Sequence, residues 1–264
     1  MTTQPALSSR LPRRAADAPT VSFSNRDAVY EFYARHRQNR LRAKLLCAAT
    51  AFRHRPQIRY ADGARSQLEQ LIRDGKPLIV AINHLSIEDP HVLAACSWRS
   101  ILRPMIGRTR VLAKDDLFLA PAQRSRLDTM GGIPVFRGKD HGLRAAHSAG
   151  QQLIDVCVDR LQLGDNLALF PEGTCNETDP TRVQAIGTGI GHIAHRAERA
   201  GVTPALLFLG LTYGPDHATT ESATFYFDTP VTELPDRPAS ITRSIAAGMQ
   251  KALDGAIAHH SDGH

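Results

Sequence analysis

The chain has 264 residues, 42% of them hydrophobic, which is enough apolar material for one sizeable core and too little chain for two full domains. Its net charge of +6 is unevenly placed: ten Lys and Arg against three acidic residues between Arg26 and Arg65 give that stretch +7 and leave the rest about neutral. Four cysteines, Cys47, Cys96, Cys157 and Cys175, form no CxxC pair and no Cys/His cluster. That pattern excludes a disulfide framework and a zinc site and fits a reducing cytoplasm.

In chain order, residues 1–20 are Arg-, Ser- and Pro-containing without an apolar h-region, so they read as a disordered lead-in rather than a secretory signal. The longest apolar runs, 45–52 and 204–213, fall short of the roughly 18 residues a membrane span needs, and no segment is expected to cross a bilayer. Helical patterns cover about 26–53 and 63–74. In the first, Leu41, Leu45, Leu46 and Ala49 recur at helical spacing among arginines. Two readings stay open for it: an amphipathic helix on an anionic membrane surface or against an acidic carrier protein, and a solvated basic face. Nucleic acid is not expected as a partner, because aromatic interleaving and zinc-finger spacing are both missing.

From residue 75 the pattern alternates. A strand at 77–83 precedes a helix from Pro90, strands near 101–106 and 110–113, and a helix near 115–129. Then follow a strand at 133–136, a helix over 142–163 with Leu153, Val156 and Leu161 on its apolar face, and a strand at 166–170. A helix near 183–200, strands at 204–213 and 223–228, and a helix over 238–257 complete the chain. Such alternation predicts an α/β fold with a mostly parallel or mixed central sheet flanked by helices. The expected organisation is a lead-in (1–20), one domain (21–258) with basic helices at 26–74 and a core at 75–258, and an exposed tail (259–264). Trp98 reads as core or interface, and His192 and His195 as helix-face residues with no metal between them.

Ligands in such sheets collect where loops leave the carboxyl ends of strands. Three polar clusters stand there: Asn83, His84 and Asp89; Arg137 with Gly138 and Lys139; and "PEGTCNET" (171–178). Twelve His and eighteen Asp in this chain would give about one His with an Asp five residues later by chance, so His84 and Asp89 alone carry little. Asp89 before Pro90 also suits a helix N-cap with proline at the first helical position. A carboxylate anchored there can still accept from an imidazole, fix its tautomer and leave the other ring nitrogen as a base, an arrangement worth roughly 10²- to 10⁴-fold in rate.

Four blocks in order, "NHLSIEDP" (83–90), "GGIPVFRG" (131–138), "LFPEGT" (169–174) and "VTPALLFLG" (202–210), resemble those of the glycerophospholipid acyltransferase superfamily, which contains the 1-acylglycerol-3-phosphate acyltransferases. "VLAKDDLF" (111–118) resembles the segment between that family's first two blocks. The resemblance spans about residues 75–215. It implies an O-acyltransferase fold and activity in which His84 is the general base and Asp89 orients it. It also implies that Arg137, Glu172, Gly173 and Thr174 bind the acceptor and that Pro204 lies on the acyl-donor side. The donor would be acyl-CoA or acyl-carrier protein as co-substrate, with no further cofactor and no metal. Backbone N–H groups of the "EGT" turn or near "NH" would meet the oxyanion. Direct transfer is simpler than a covalent relay through Ser86 or Cys175.

Two departures matter. Cys175 stands where phosphate-acceptor members carry an arginine, and "IGTG" (186–189) puts Gly187 where they carry a lysine. Arg137 alone makes a thin phosphate site, which Lys139 or Arg182 would have to supplement. The acceptor is therefore a lysophospholipid-like molecule or a lipid or metabolite hydroxyl without phosphate. A non-catalytic lipid- or carrier-binding protein of the same fold is the alternative. The expected place is the cytoplasm, peripheral to the membrane.

Overall fold

The computed structural model describes residues 18–214 and 222–261. Seven strands form one sheet: β1 (Gln57–Tyr60), β2 (Leu78–Ile82), β3 (Thr109–Lys114), β4 (Gly132–Val135), β5 (Asn166–Leu169), β6 (Ala205–Thr212) and β7 (Thr224–Phe227). Their order is β1-β7-β6-β2-β5-β3-β4. Every neighbouring pair is parallel except β6 with β7, so five strands run one way and the β7–β1 edge runs back. The sheet is mixed and mostly parallel, as the alternation predicts.

The helices are α1 (Arg26–Arg35), α2 (Arg40–Arg53), α3 (Ala64–Arg73), α4 (Asp89–Arg99), α5 (Pro121–Met130), α6 (Gly138–His141), α7 (Leu143–Gln162), α8 (Gly189–Arg199) and α9 (Pro238–Ser261). One side of the sheet carries α1, α7, α8 and α9, with Phe32, Leu161, Ile193 and Met249 in its core. The other carries α3 and α4, which lay Leu68, Val92 and Cys96 against Val80, Leu207 and Leu209. Both faces being covered explains why β2 and β6 are buried at every position and read as continuous apolar runs. At Gly210 a Cβ would lie 1.9 Å from the Ala252 carbonyl oxygen, so α9 rests directly on β6 and no larger residue fits.

Several elements differ from the sequence expectation. The single helix expected over 26–53 is two. It breaks at His36–Asn39, where Asn39 caps α2 by accepting from the Arg42 N–H at 3.1 Å. α1 buries Val29, Tyr30, Phe32 and Tyr33, whereas α2 lies outside α4, setting Ala43 and Cys47 against Ala94 of α4 and Ile106 beyond it. No strand forms at 101–106: Pro104 lies in a 3-10 turn (Arg103–Met105), and the apolar Leu102, Met105 and Ile106 are buried from that turn. β1, unforeseen, pairs with β7 at the edge. Residues 183–188 are not helical, and α8 begins at Gly189. Ala18–Thr20 belong to the fold rather than to a disordered lead-in: the Pro19 carbonyl accepts from Arg124 at 2.7 Å, while residues 1–17 lie outside the described residues.

Nor does the chain end in an exposed tail at 259, because α9 continues to Ser261. His259 stacks on Tyr226 at 5.2 Å, and buried His260 shares a 2.9 Å hydrogen bond with the Thr224 hydroxyl. Residues 262–264 lie outside the described residues.

The α1–α2 break is held by a buried polar knot. The Arg110 and Arg160 side chains converge on one carboxylate, with Arg110 Nε 2.7 Å and Arg160 Nε 2.9 Å from Asp165 Oδ2. Two cations against one anion need further acceptors. The carbonyls of His36 (2.7 Å from Arg110) and Ala34 (3.0 Å from Arg160) supply them. His36 Nδ1 lies 3.4 Å from Arg110 Nη1 and accepts from it. Burial, then the charges of Arg110 and Arg160, push the His36 pKa down to about 4, so the ring is neutral in the fold.

Candidate functional site

The site forms where β2 stops. Asn83, buried, uses its carboxamide as a piece of strand: its Nδ2 donates to the Leu211 carbonyl at 2.9 Å and its Oδ1 accepts from the Leu211 N–H at 2.7 Å. That pair ties the end of β2 to β6 and fixes where the next residue, His84, leaves the sheet. The imidazole stacks on Phe170, the residue after β5, with ring centroids 4.4 Å apart.

His84 Nδ1 donates to Asp89 Oδ2 at 2.8 Å. Asp89 is completely buried, and its carboxylate does not cap α4 forward as the sequence suggested. It reaches back instead, accepting from the N–H groups of Leu85 (2.6 Å) and Ser86 (3.0 Å), while Glu88 holds the N-cap position. Oδ1 accepts from the Tyr213 hydroxyl at 2.5 Å. Four donors thus saturate one buried carboxylate, which is how a charge is kept without water. Burial, then the Asp89 charge, drives the Tyr213 hydroxyl far above its ordinary range, so it stays a donor. The hydrogen bond at Nδ1 leaves Nε2 as the ring nitrogen that faces the loop side.

The loop after β5 closes over this pair. Glu172 Oε1 accepts from the His84 N–H at 2.8 Å and Oε2 from the Gln184 N–H at 2.9 Å, so both its oxygens brace backbone. The Asn176 N–H donates to the His84 carbonyl at 2.7 Å. Gly173 takes φ +73° in the turn between them, a conformation glycine adopts without strain. Cys175 Sγ lies 3.6 Å from His84 Nε2. Burial, then the charges of Asp89 and Glu177, raise the Cys175 thiol above its usual range, which keeps it protonated and a poor nucleophile.

Arg137, leaving β4, donates from Nη1 to the Gly173 carbonyl at 3.3 Å and from Nε to Asp140 at 2.9 Å. The structure therefore brings His84, Asp89, Arg137, Glu172, Gly173 and the exposed Thr174 to one edge of the sheet. Pro204 is not among them. It precedes Ala205, the partner of Leu78 at the start of β2, and so stands level with Pro77, seven residues from His84 and about 23 Å away along an extended strand. The Lys139 side chain lies outside the described residues, and exposed Arg182 faces the Asp179 carboxylate.

Phe170 and Tyr213 escaped the sequence reading. Each is an aromatic one residue past a strand, at the edge that carries His84, and that position was the available signal. Among the described residues no group of three or more His, Cys, Asp or Glu is placed to hold a metal, and no helix is long and apolar enough to cross a membrane.

No curated protein matches the chain. A family model described as "Acyltransferase" matches residues 63–207, a span that runs from α3 into β6 and includes His84, Asp89, Arg137 and Glu172. With more than half of its length in that match, carried on a mixed α/β sheet with its polar residues gathered at the strand ends, the chain belongs to the acyltransferase family of the glycerophospholipid acyltransferase superfamily.

Proposed function

We propose that this acyltransferase moves a fatty acyl group from an acyl-CoA or acyl-carrier-protein thioester to a hydroxyl of a lysophospholipid-like acceptor, with His84 as general base. One observation carries the proposal: the hydrogen-bonded series Tyr213–Asp89–His84 is complete and buried at its base, with Nε2 met only by the Cys175 thiol at 3.6 Å, a weak partner that an acceptor hydroxyl would displace. In this scheme Nε2 takes the acceptor's proton as its oxygen attacks the thioester carbonyl. The oxyanion collapses, the carbon–sulfur bond breaks, and the leaving thiolate takes the proton back from the imidazolium. The backbone N–H group of Thr174 carries no hydrogen bond among the described residues and suits the oxyanion, the task that preorganised donors do at low reorganisation cost. Asp89 is charge support, and Glu172 holds the His84 backbone rather than the acceptor.

The acceptor side is lightly charged. Arg137 is half-neutralised by Asp140, and Cys175 presents a neutral thiol where a second cation would strengthen a phosphate site. An acceptor whose head group is not a phosphate monoester fits this balance best. Membrane access rests on α2, where Leu41 (68% exposed), Leu45 (61%) and Phe52 (81%) form an outward apolar stripe. Arg40, Arg42, Lys44 and Arg53 surround it, and no acidic residue lies between Glu31 and Asp62. Such a helix lies in the plane of an anionic interface, and greasy substrates would reach the site from there.

The deciding assay follows thiol release from acyl-CoA with a panel of lyso-lipid and neutral hydroxyl acceptors, in the native chain and in His84→Ala. Acceptor-dependent release that falls by 10²-fold or more in the variant is expected. Release that survives the substitution removes His84 from the mechanism, and tight lipid binding without release from any donor would identify a binding protein instead.

A further inference from the structure

Away from the strand-end site, the surface carries a basic, aromatic-lined groove that the chemistry above leaves unused. Two hollows of about 460 and 410 Å³ adjoin, sharing Ile58 and Arg99. The first is walled by Pro56, Trp98 and Arg103, the second by Tyr60 and Arg65. Arg103 lies over the Trp98 indole, its guanidinium carbon 3.8 Å from the ring centroid, and Arg65 sits over Tyr60 at 5.8 Å. Stacking fixes the plane of a guanidinium while leaving its N–H edge outward, the geometry that grips phosphate oxygens in pairs. Arg65 is paired with Glu69. Exposed Arg99 and Arg103 have no carboxylate partner among the described residues. Three guanidinium groups with one carboxylate, set in apolar walls, make an anion site rather than a solvated salt-bridge network.

Its distance from the chemistry is informative. Asp89 opens α4 and Arg99 closes it, so at 1.5 Å per residue the groove lies about 15 Å along the helix from the His84–Asp89 pair. An extended pantetheine arm spans such a separation. We propose that the Trp98–Arg99–Arg103 groove, extended by Arg65, binds the phosphorylated end of the acyl donor, the adenosine 3′,5′-bisphosphate of coenzyme A, while the thioester reaches His84. This site rests on the acyl-CoA reading of the donor. Phosphate on an anionic lipid headgroup shares its chemistry and is the competing source.

Trp98 is the only tryptophan in the chain, so its fluorescence reports on the groove directly. Adenosine 3′,5′-bisphosphate should quench it saturably in the full-length protein, and Arg99→Ala/Arg103→Ala, which keeps the indole, should weaken that binding roughly tenfold or more. Donor use supplies a second readout: the ratio of kcat/KM for acyl-CoA to kcat/KM for the same acyl group on N-acetylcysteamine, which has no nucleotide, should fall by about the same factor in the variant. Quenching by phosphatidylglycerol vesicles but not by the bisphosphate overturns the proposal and makes the groove a headgroup site. An unchanged donor ratio, or no quenching by either probe, also overturns it. A protein that binds the bisphosphate at Trp98 yet releases thiol from neither donor keeps the groove as a nucleotide site and refutes the catalytic reading instead.

Discussion

Neutral His36, locked beside two buried arginines, should make the fold acid-sensitive in a way that one substitution removes. Its pKa is about 4 in the fold against 6.5 for the free side chain. Below pH 6.5 the unfolded chain binds a proton that the folded chain refuses, so stability is full above that pH and falls as pH drops, until the folded ring also protonates near 4. At pH 5 the lost stability works out at about 2 kcal/mol, and at about 3 kcal/mol once both states are protonated. Burial sets the sign first; Arg110, Arg160 and Arg124 then oppose the ring's charge, and Asp165, already shared by Arg110 and Arg160, favours it less. His36→Asn keeps an acceptor for Arg110 and deletes the titration. Urea unfolding of both proteins at pH 7, 6 and 5 gives the comparison. The variant should be less stable at pH 7, since it gives up stacking on Phe32, but between pH 7 and 5 the native chain should lose about 2 kcal/mol more than the variant. Equal losses in both would refute the argument.

Tyr213→Phe removes one of four donors from a buried carboxylate. A hydrogen bond to a charged group contributes about 1.5–3 kcal/mol, so thermal unfolding should show a loss of that order, with kcat reduced more than KM. A kcat that holds while the fold weakens would make Tyr213 purely structural. Cys175 is the one free cysteine among the described residues that is not buried. Alkylation by N-ethylmaleimide should therefore be slow at pH 7, accelerate above the usual thiol range because its pKa is raised, and abolish activity by filling the space beside His84. Rapid modification at pH 7 would contradict the acidic surroundings seen here. Replacing Leu41, Leu45 and Phe52 together by serine should leave unfolding unchanged within about 0.5 kcal/mol, as exposed positions do, while anionic liposomes no longer float the protein. Undiminished flotation would move the membrane contact elsewhere.

How much of this was legible in the sequence follows from the range of the interactions involved. The long buried strands β2 and β6 announce themselves because both faces are covered and the apolar run is uninterrupted. β1 does not: "QIRY" alternates polar and apolar residues, but over only four positions, too short a run to stand out, and it is a strand because β7 lies beside it. The break at His36–Asn39 carried a local sign, the N-cap at Asn39, which the apolar periodicity of 26–53 overrode. At 101–106 the apolar residues point inward from a turn, so hydrophobicity was read correctly and its period was not. Within the site, His84, Asp89 and the 171–178 loop were visible as strand-end clusters, since five residues of spacing suffice to place a carboxylate beside an imidazole. Tyr213 lies 124 residues from Asp89, and its one local mark, an aromatic just past a strand end, does not say which carboxylate it meets. The double brace made by Glu172 was equally hidden: a carboxylate in a loop looks like a ligand group until the amides that occupy it are seen.

The last turn of α9 bears on how this protein is made. His260 holds Thr224 at the start of β7, and its ring lies under Gly214, where a Cβ would come within 2.5 Å of Nε2. The Ser222 hydroxyl, just before β7, donates to the Tyr213 carbonyl at 2.8 Å. The strand ends that carry Tyr213 are thus clasped by a residue, His260, that is made 176 positions after His84. A nascent chain would possess His84 and Asp89 long before it possessed the residues that steady Tyr213 over them. Synthesis runs from the N-terminus at about 5–20 residues per second, so this enzyme's site would be assembled in two instalments, its basic centre first and the clasp last. A chain cut short within α9 would then be an acyltransferase in outline with a loosened Asp89.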